Sequence, residues 1–464
     1  MIFEQLYLGC LAQASYLIAD ETTKVAVVVD PRRDIDIYLE AAEKAGLRIE
    51  HVLLTHFHAD FLAGHLELRE KTGARIHLGT GARAEYAFEE MGDGETLSLG
   101  GVELRFLSTP GHTPESTSIL VFEGNAKDPH AVLTGDTLFI GDVGRPDLMA
   151  SVGVTSEELA SMMYDSLHQK LMSLPDETLV YPGHGAGSMC GKNLSTDTVS
   201  TIGAQRATNY AVQPMPKADF VNMLTANQPT APAYFPFDAE RNRSERPVLE
   251  DVLRESIQPL SADQLAQHQV KGVQILDCRD GEAFAKGHWQ DAVNIGLDGK
   301  YATWAGTLLE ERRPIAIVAD PGAEREAILR LGRIGFDRIL GYLEGGFDAT
   351  PEELQSRRVR TDTEDLRLSI EKNEGVLVVD VRAPGEWEAG HIDGARHSPL
   401  NLIATWRDDL PRDRTLVLVC KSGYRSSAAA SLLKGAGYED VRDMRGGMDA
   451  WLGLEDGSPA SCST

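Results

Sequence analysis

The stretch THFHADFLAGH, residues 55–65, decides how the first half of the chain is read. An apolar run, IEHVLL, leads into it and predicts a strand that ends in a loop carrying His56, His58 and Asp60. Three side chains with lone pairs at one sheet edge are potential ligands for a single cation. A pattern of the H-x-H-x-D-H kind would place another histidine at the next position, where this chain has Phe61. A phenyl ring has no lone pair to donate, so Phe61 cannot take the place of that ligand.

Three other apolar runs end in the same way. TPGHTPES supplies His112, LTGDTLF supplies Asp136 and VYPGHGAG supplies His184. Strand ends gathered on one rim are where α/β folds build their sites, so these residues predict one shared metal centre. Cys190 lies six residues beyond His184 in the Gly-rich segment GAGSMCGKN. Its position leaves two readings open, a reactive thiol beside the metal and an inert loop cysteine.

At 464 residues the chain exceeds one core and predicts about three domains. Its 71 acidic against 45 basic residues, a net charge of −26, would repel phosphate backbones and anionic lipids. Nucleic-acid and membrane roles are therefore not expected. No positive leader and no apolar run of membrane-spanning length is present, so a cytoplasmic location is expected. Five cysteines, at 10, 190, 278, 420 and 462, are scattered too widely for a disulfide framework and read as reduced thiols.

The first domain is expected over residues 1–237, with the polar run DAERNRSERP (238–247) as a linker. Two similar segments follow, 248–351 and 362–455, separated by a second charged linker. One contains VQILDCRDGEAFAKGHWQDAVNI and the other VLVVDVRAPGEWEAGHIDGARHS, with D-x-R and Gly-His at the same interval. Each continues through an apolar run and a helix-forming stretch to a Gly-Gly turn, the mark of a duplicated α/β module. The polar tail 456–464 is expected to be flexible.

The second copy carries chemistry in VLVCKSGYRSS. Cys420 ends a strand and opens a helix, where backbone N–H groups and the helix dipole favour a thiolate. Lys421, Ser422, Gly423, Tyr424 and Ser426 complete the loop, and Arg425 adds a charged donor. In the first copy Ala319 stands opposite Cys420 and Glu324 opposite Arg425, so nucleophile and cation are both missing. Cys278 falls on a strand and reads as a small buried hydrophobe.

The set THFHAD, TPGHT, TGDTLF and YPGHG resembles the metallo-β-lactamase superfamily, and GDTLFIGDVGRPDL (135–148) is similar to its persulfide dioxygenase branch. That resemblance implies an αββα sandwich and one Fe(2+) per chain on His56, His112 and Asp136. Two histidines and a carboxylate leave positions open for a substrate atom and O2. It further implies that Arg145 and Asp147 hold the ligand geometry, that His58 and Asp60 lie outside the ligand set, and that His184 is undecided. The segment around Cys420 resembles a rhodanese, which carries sulfane sulfur as a cysteine persulfide, and the first copy resembles an inactive rhodanese.

Together the resemblances imply an α/β chain in which a metallo-β-lactamase sandwich precedes two rhodanese-like domains. The implied activity is oxidation of glutathione persulfide, coenzyme A persulfide or another small thiol persulfide with O2 to sulfite and thiol. The rhodanese would then combine persulfide sulfur with sulfite to give thiosulfate. A homo-oligomer is expected. The alternative is a glyoxalase-II-like thioesterase joined to a sulfurtransferase, in which metal-bound hydroxide attacks a thioester.

Overall fold

The computed structural model describes residues 1–453 apart from 149–152, 227 and 229. The expected flexible tail, 456–464, and Cys462 lie outside the described residues. The chain falls into two compact units, Met1–Asp251 with Gly332–Gly335, and Val252–Leu331 with Phe336 onward. Among the described residues no helix is long and apolar enough to cross a membrane.

The first unit is the expected sandwich. One six-stranded sheet runs in chain order from Ile2–Leu8 to Glu89–Met91. The other runs in reverse order from Ser200–Thr201 through Leu179–Pro182, Ala131–Gly135, Thr117–Glu123 and Val102–Ser108 to Thr96–Ser98. Alternation along Thr117–Glu123 shows how the layers form. Ile119 and Val121 join Tyr16, Val27, Leu53 and Phe106 between the sheets, whereas Leu120 and Phe122 face outward to Met163 and Phe220 of two covering helices. Helices Asp36–Ala45 and His65–Thr72 pack on the first sheet.

The second unit holds both repeats, each with a five-stranded parallel sheet. In the first the order is Pro259–Leu260, Ile339–Leu343, Ile315–Val318, Gln274–Asp277, Val293–Asn294. The second has the same order: Arg360–Thr361, Val441–Met444, Leu416–Val419, Leu377–Asp380, Arg396–His397. The D-x-R triplet explains part of the duplication. Arg279 makes a two-pronged bond to Asp277 (3.0 and 2.6 Å) and reaches the Gly287 carbonyl (2.8 Å). Arg382 repeats this with Asp380 (3.0 and 2.7 Å) and Gly390 (2.6 Å), so each triplet staples a strand end to the glycine of its Gly-His pair.

Both stretches read as linkers are built into the fold. Residues 238–247 overlap the helix Phe235–Arg241, and Asp238 and Asn242 are fully buried. Their polarity serves internal bonds instead of solvation, a distinction that composition does not carry. In the second stretch Gln355–Ser356 pairs with His288–Trp289, while Arg358 and Arg360 both bind Asp443 (3.0 and 2.9 Å).

Candidate functional site

His56, His112 and Asp136 come together at the sheet ends, each offering a ligand atom within 4.8 Å of the other two. The Nε2 atoms of His56 and His112 lie 3.8 and 3.5 Å from Asp136 Oδ2. Both rings are held from behind. His112 Nδ1–H donates to the Arg145 carbonyl (2.9 Å), and His56 Nδ1 lies 3.0 Å from the Thr55 hydroxyl, which itself donates to Asp30 (2.8 Å). With Nδ1 engaged outward, each Nε2 lone pair faces the carboxylate. Burial, and after it the neighbouring imidazoles, hold His56 well below the usual imidazole range, so its ring is neutral.

Glycines let this cluster close. A Cβ on Gly183 would lie 2.6 Å from Asp136 Oδ1, and one on Gly135, where φ is +49°, would lie 2.5 Å from Thr55 Oγ1. Both Asp136 oxygens are buried without a hydrogen-bond partner. An unpartnered carboxylate is costly in such surroundings, and a cation among these three residues removes the cost, so the donor set fits a metal ion.

His58, Asp60 and His184 form a second convergent group beside the first. His184 Nε2 lies 3.5 Å from Asp60 Oδ2 and 3.7 Å from Asp136 Oδ1, with its Nδ1–H donated to the Ala12 carbonyl (3.1 Å). Burial lowers the His184 pKa, but the Asp136 and Asp60 carboxylates outweigh it and raise the net value. His58 Nε2 is 3.0 Å from Asp30 Oδ1, while its Nδ1 has no partner. The fully buried Phe61 ring sits 4.4 Å from the His58 ring and 6.4 Å from that of His184. Cys190 also reaches the cluster, in a group with Asp136 and His184, and is 1% exposed. Burial, then Asp60 and Asp136, push its thiol well above the ordinary range.

Arg145 and Asp147 brace this rim. Arg145 binds Asp147 through two nitrogens (2.7 and 2.6 Å) and donates to the Met189 carbonyl (3.2 Å), while its own N–H donates to the Cys190 carbonyl (3.0 Å). Asn242 is a brace that the sequence reading missed. Its Nδ2 donates to the carbonyls of His58 and Phe61, both at 2.8 Å, and its Oδ1 accepts from Ala63 N–H (2.9 Å).

In the second unit Cys420 follows the strand Leu416–Val419, but the helix opens at Tyr424, not at the cysteine. The intervening loop turns back at Gly423, where φ is +98°, and Gly423 N–H donates to Cys420 Sγ (3.1 Å). Ser426 Oγ lies 3.4 Å from the same sulfur. Lys421 and Ser422 are exposed on the loop. Arg425 does not stand open for an anion: Glu386 takes both terminal nitrogens (2.6 and 2.7 Å). Nothing in APGEWE singled out Glu386 beyond an ordinary helix start. The corresponding loop of the first repeat has Ala319 after Ile315–Val318, and there Glu324 accepts from Gly322 N–H (2.8 Å). Cys278 is buried against the Tyr301 hydroxyl (3.3 Å), and burial raises its thiol pKa far out of the working range.

The chain matches the metallo-beta-lactamase superfamily over residues 8–184 and the rhodanese-like domain over 261–352 and 362–454. It is 30% identical to the mitochondrial persulfide dioxygenase of Bos taurus, over 42% of this chain and 69% of that protein. It is 32% identical to a probable hydroxyacylglutathione hydrolase of Schizosaccharomyces pombe, over 39% of this chain and 66% of that one. The chain thus spans about two thirds of the length of both relatives. A crystal structure of a metallo-beta-lactamase from Staphylococcus aureus is 32% identical, with a TM-score of 0.66, covering 74% of this chain and 98% of that one.

Proposed function

We propose a function from one premise: the chain belongs to the metallo-β-lactamase superfamily, and two rhodanese-like domains follow that fold. The first unit is read as a persulfide dioxygenase and the second as a sulfurtransferase. The observation that carries the reading is Phe61, an apolar ring buried where a further nitrogen ligand would serve a two-metal hydrolase. A single ferrous ion on His56, His112 and Asp136 would supply O2 activation and a position for the substrate's terminal sulfur.

Each protein group then has a task. Thr55 and the Arg145 carbonyl fix the two imidazoles in the ligating tautomer. Phe61 and Phe139, both fully buried, keep water from the His184 side. The Arg145–Asp147 pair pins the loop that carries Cys190. The net reaction takes a thiol persulfide, O2 and water to thiol, sulfite and protons, with glutathione or coenzyme A persulfide as the expected substrate. Cys420, loaded by a second persulfide, holds an outer sulfur that sulfite attacks. The new S–S bond of thiosulfate forms as the bond to Cys420 Sγ breaks, and the thiolate leaves against Gly423 N–H. Fusion in one chain raises the local sulfite concentration at the second site.

The convergence of His58, Asp60 and His184 favours a second reading, a two-metal thioesterase, as does similarity to the hydrolase. Metal analysis of anaerobically purified protein separates them. The dioxygenase reading expects about one iron per chain and O2 uptake with a thiol persulfide. Two zinc ions per chain, with thioester hydrolysis in the absence of O2, would establish the alternative.

A further inference from the structure

The Gly-His pair recurs in both repeats, but its histidine meets different surroundings in each. His288 donates to the Phe284 carbonyl (2.8 Å) and stacks on the Phe284 ring, with centroids 3.8 Å apart. His391 repeats this with Trp387, at 3.1 and 3.6 Å. His391 is exposed, whereas His288 is 4% exposed and lines a cleft of about 360 Å³. The cleft lies between the repeats, with Phe284, His288 and Asp291 from the first, Lys434 and Glu439 from the second, and Arg358 from the stretch that joins them. Its volume is in the range of sites that enclose a small organic molecule.

The polar groups of this cleft are of three kinds. A carbonyl can only accept, so His288 carries its proton on Nδ1 and its Nε2 presents a lone pair. Burial, against the bond to Phe284, and then the charges of Arg358, Arg279 and Lys434 lower its pKa to about 4, which keeps that lone pair free of a proton at neutral pH. Arg358 and Lys434 supply positive charge. Arg358 shares Asp443 (3.0 Å) with Arg360 (2.9 Å), and Lys434 donates to an uncharged acceptor, the Glu439 carbonyl (2.8 Å). Asp291 and Glu439 are exposed, so the carboxylates stand at the mouth while His288 and Arg358 lie deep.

We propose that this cleft binds a small zwitterionic peptide, with its carboxylate toward Arg358 and Lys434, an amide N–H donated to His288 Nε2, and its ammonium toward Asp291 and Glu439. A ligand of one charge fits this lining poorly, because an anion would face the two carboxylates and a cation the two basic groups. A peptide carries the carboxylate, the N–H donor and the ammonium in one short chain. The site takes residues from both repeats, so the first has a use without a nucleophile of its own.

The test is a ligand-observed NMR titration of the full chain with triglycine, which has no sulfur and so cannot load Cys420. One saturable site with a Kd on the order of 1 mM or tighter is expected for a ligand of this size. Triglycine amide, which lacks the carboxylate, should bind about tenfold more weakly, and Lys434→Glu should weaken triglycine to a similar degree. His288→Phe keeps a ring to stack on Phe284 but removes the acceptor, and should cost about fivefold in affinity. Lys434 is partly exposed, so its replacement is read even where His288→Phe does not fold. Acetyl-triglycine, without the ammonium, should bind the parent chain about fivefold more weakly than triglycine, a difference that Asp291→Asn with Glu439→Gln should erase. No saturation by triglycine up to about 10 mM, or affinity unaltered both in Lys434→Glu and for the amide, would overturn the proposal.

Discussion

Phe61 and Asn242 show how far single side chains can be read. Phe61 was legible because it interrupts a ligand pattern, and the structure gives its ring a fully buried place beside His58. His56, His112, Asp136 and His184 were legible because each ends an apolar run. Asn242 was not, since a polar residue within DAERNRSERP has the composition of a solvated loop. Its role exists only through carbonyls about 180 residues earlier. Asn242→Leu should leave two carbonyls and one N–H of the metal loop buried and unpaired, at about 1–3 kcal/mol for each group. We expect a lower melting temperature and a loss of metal affinity of about tenfold or more, checked by calorimetry and by chelator competition. Full metal retention in this variant would show that the loop holds itself.

The strand, loop and helix around Cys420 recur around Ala319, and the duplication was visible in the spacing of D-x-R and Gly-His. What spacing could not give is the environment of each loop. Glu386 neutralises Arg425 from a helix whose sequence signals only its own start. Ala319→Cys with Glu324→Arg restores both side chains of the degenerate loop, which keeps the turn of Gly423 at Gly322 (φ +96°), but Ala283 stands where Glu386 would hold the new arginine. We expect less than about one hundredth of the parent sulfur transfer from this double variant in a Cys420→Ser background, because an arginine without that ion pair is not held beside the sulfur. Transfer from thiosulfate to cyanide near the parent rate would show that the ion pair is dispensable.

Across the whole chain, the matched spacing of D-x-R and Gly-His carried the number of repeats and the resemblance of the strand-end motifs carried the sandwich, while the packing of the stretches read as linkers emerged only from their buried bonds. Rings held neutral contribute to stability against pH. Burial lowers His77 to about 4, with His51 at 2.9 Å adding to the effect, and burial lowers His288 to about 4 as well. Both folded values lie below the unfolded value, so their contribution is complete above about pH 6.5 and is lost as pH falls toward 4. The melting temperature should therefore drop from pH 7 to pH 5, and His77→Gln should flatten part of that slope, as followed by calorimetry. An unchanged melting temperature over this range would contradict the assignment. The central claim is that oxidation and sulfur transfer are separate chemistries run in series. It is tested by an oxygen electrode with quantification of sulfite and thiosulfate for Cys420→Ser supplied with a thiol persulfide. The account predicts O2 uptake near the parent rate, with product shifted from thiosulfate to sulfite. Loss of O2 uptake with fold and metal content intact would contradict it, because Cys420 would then have to act before oxidation.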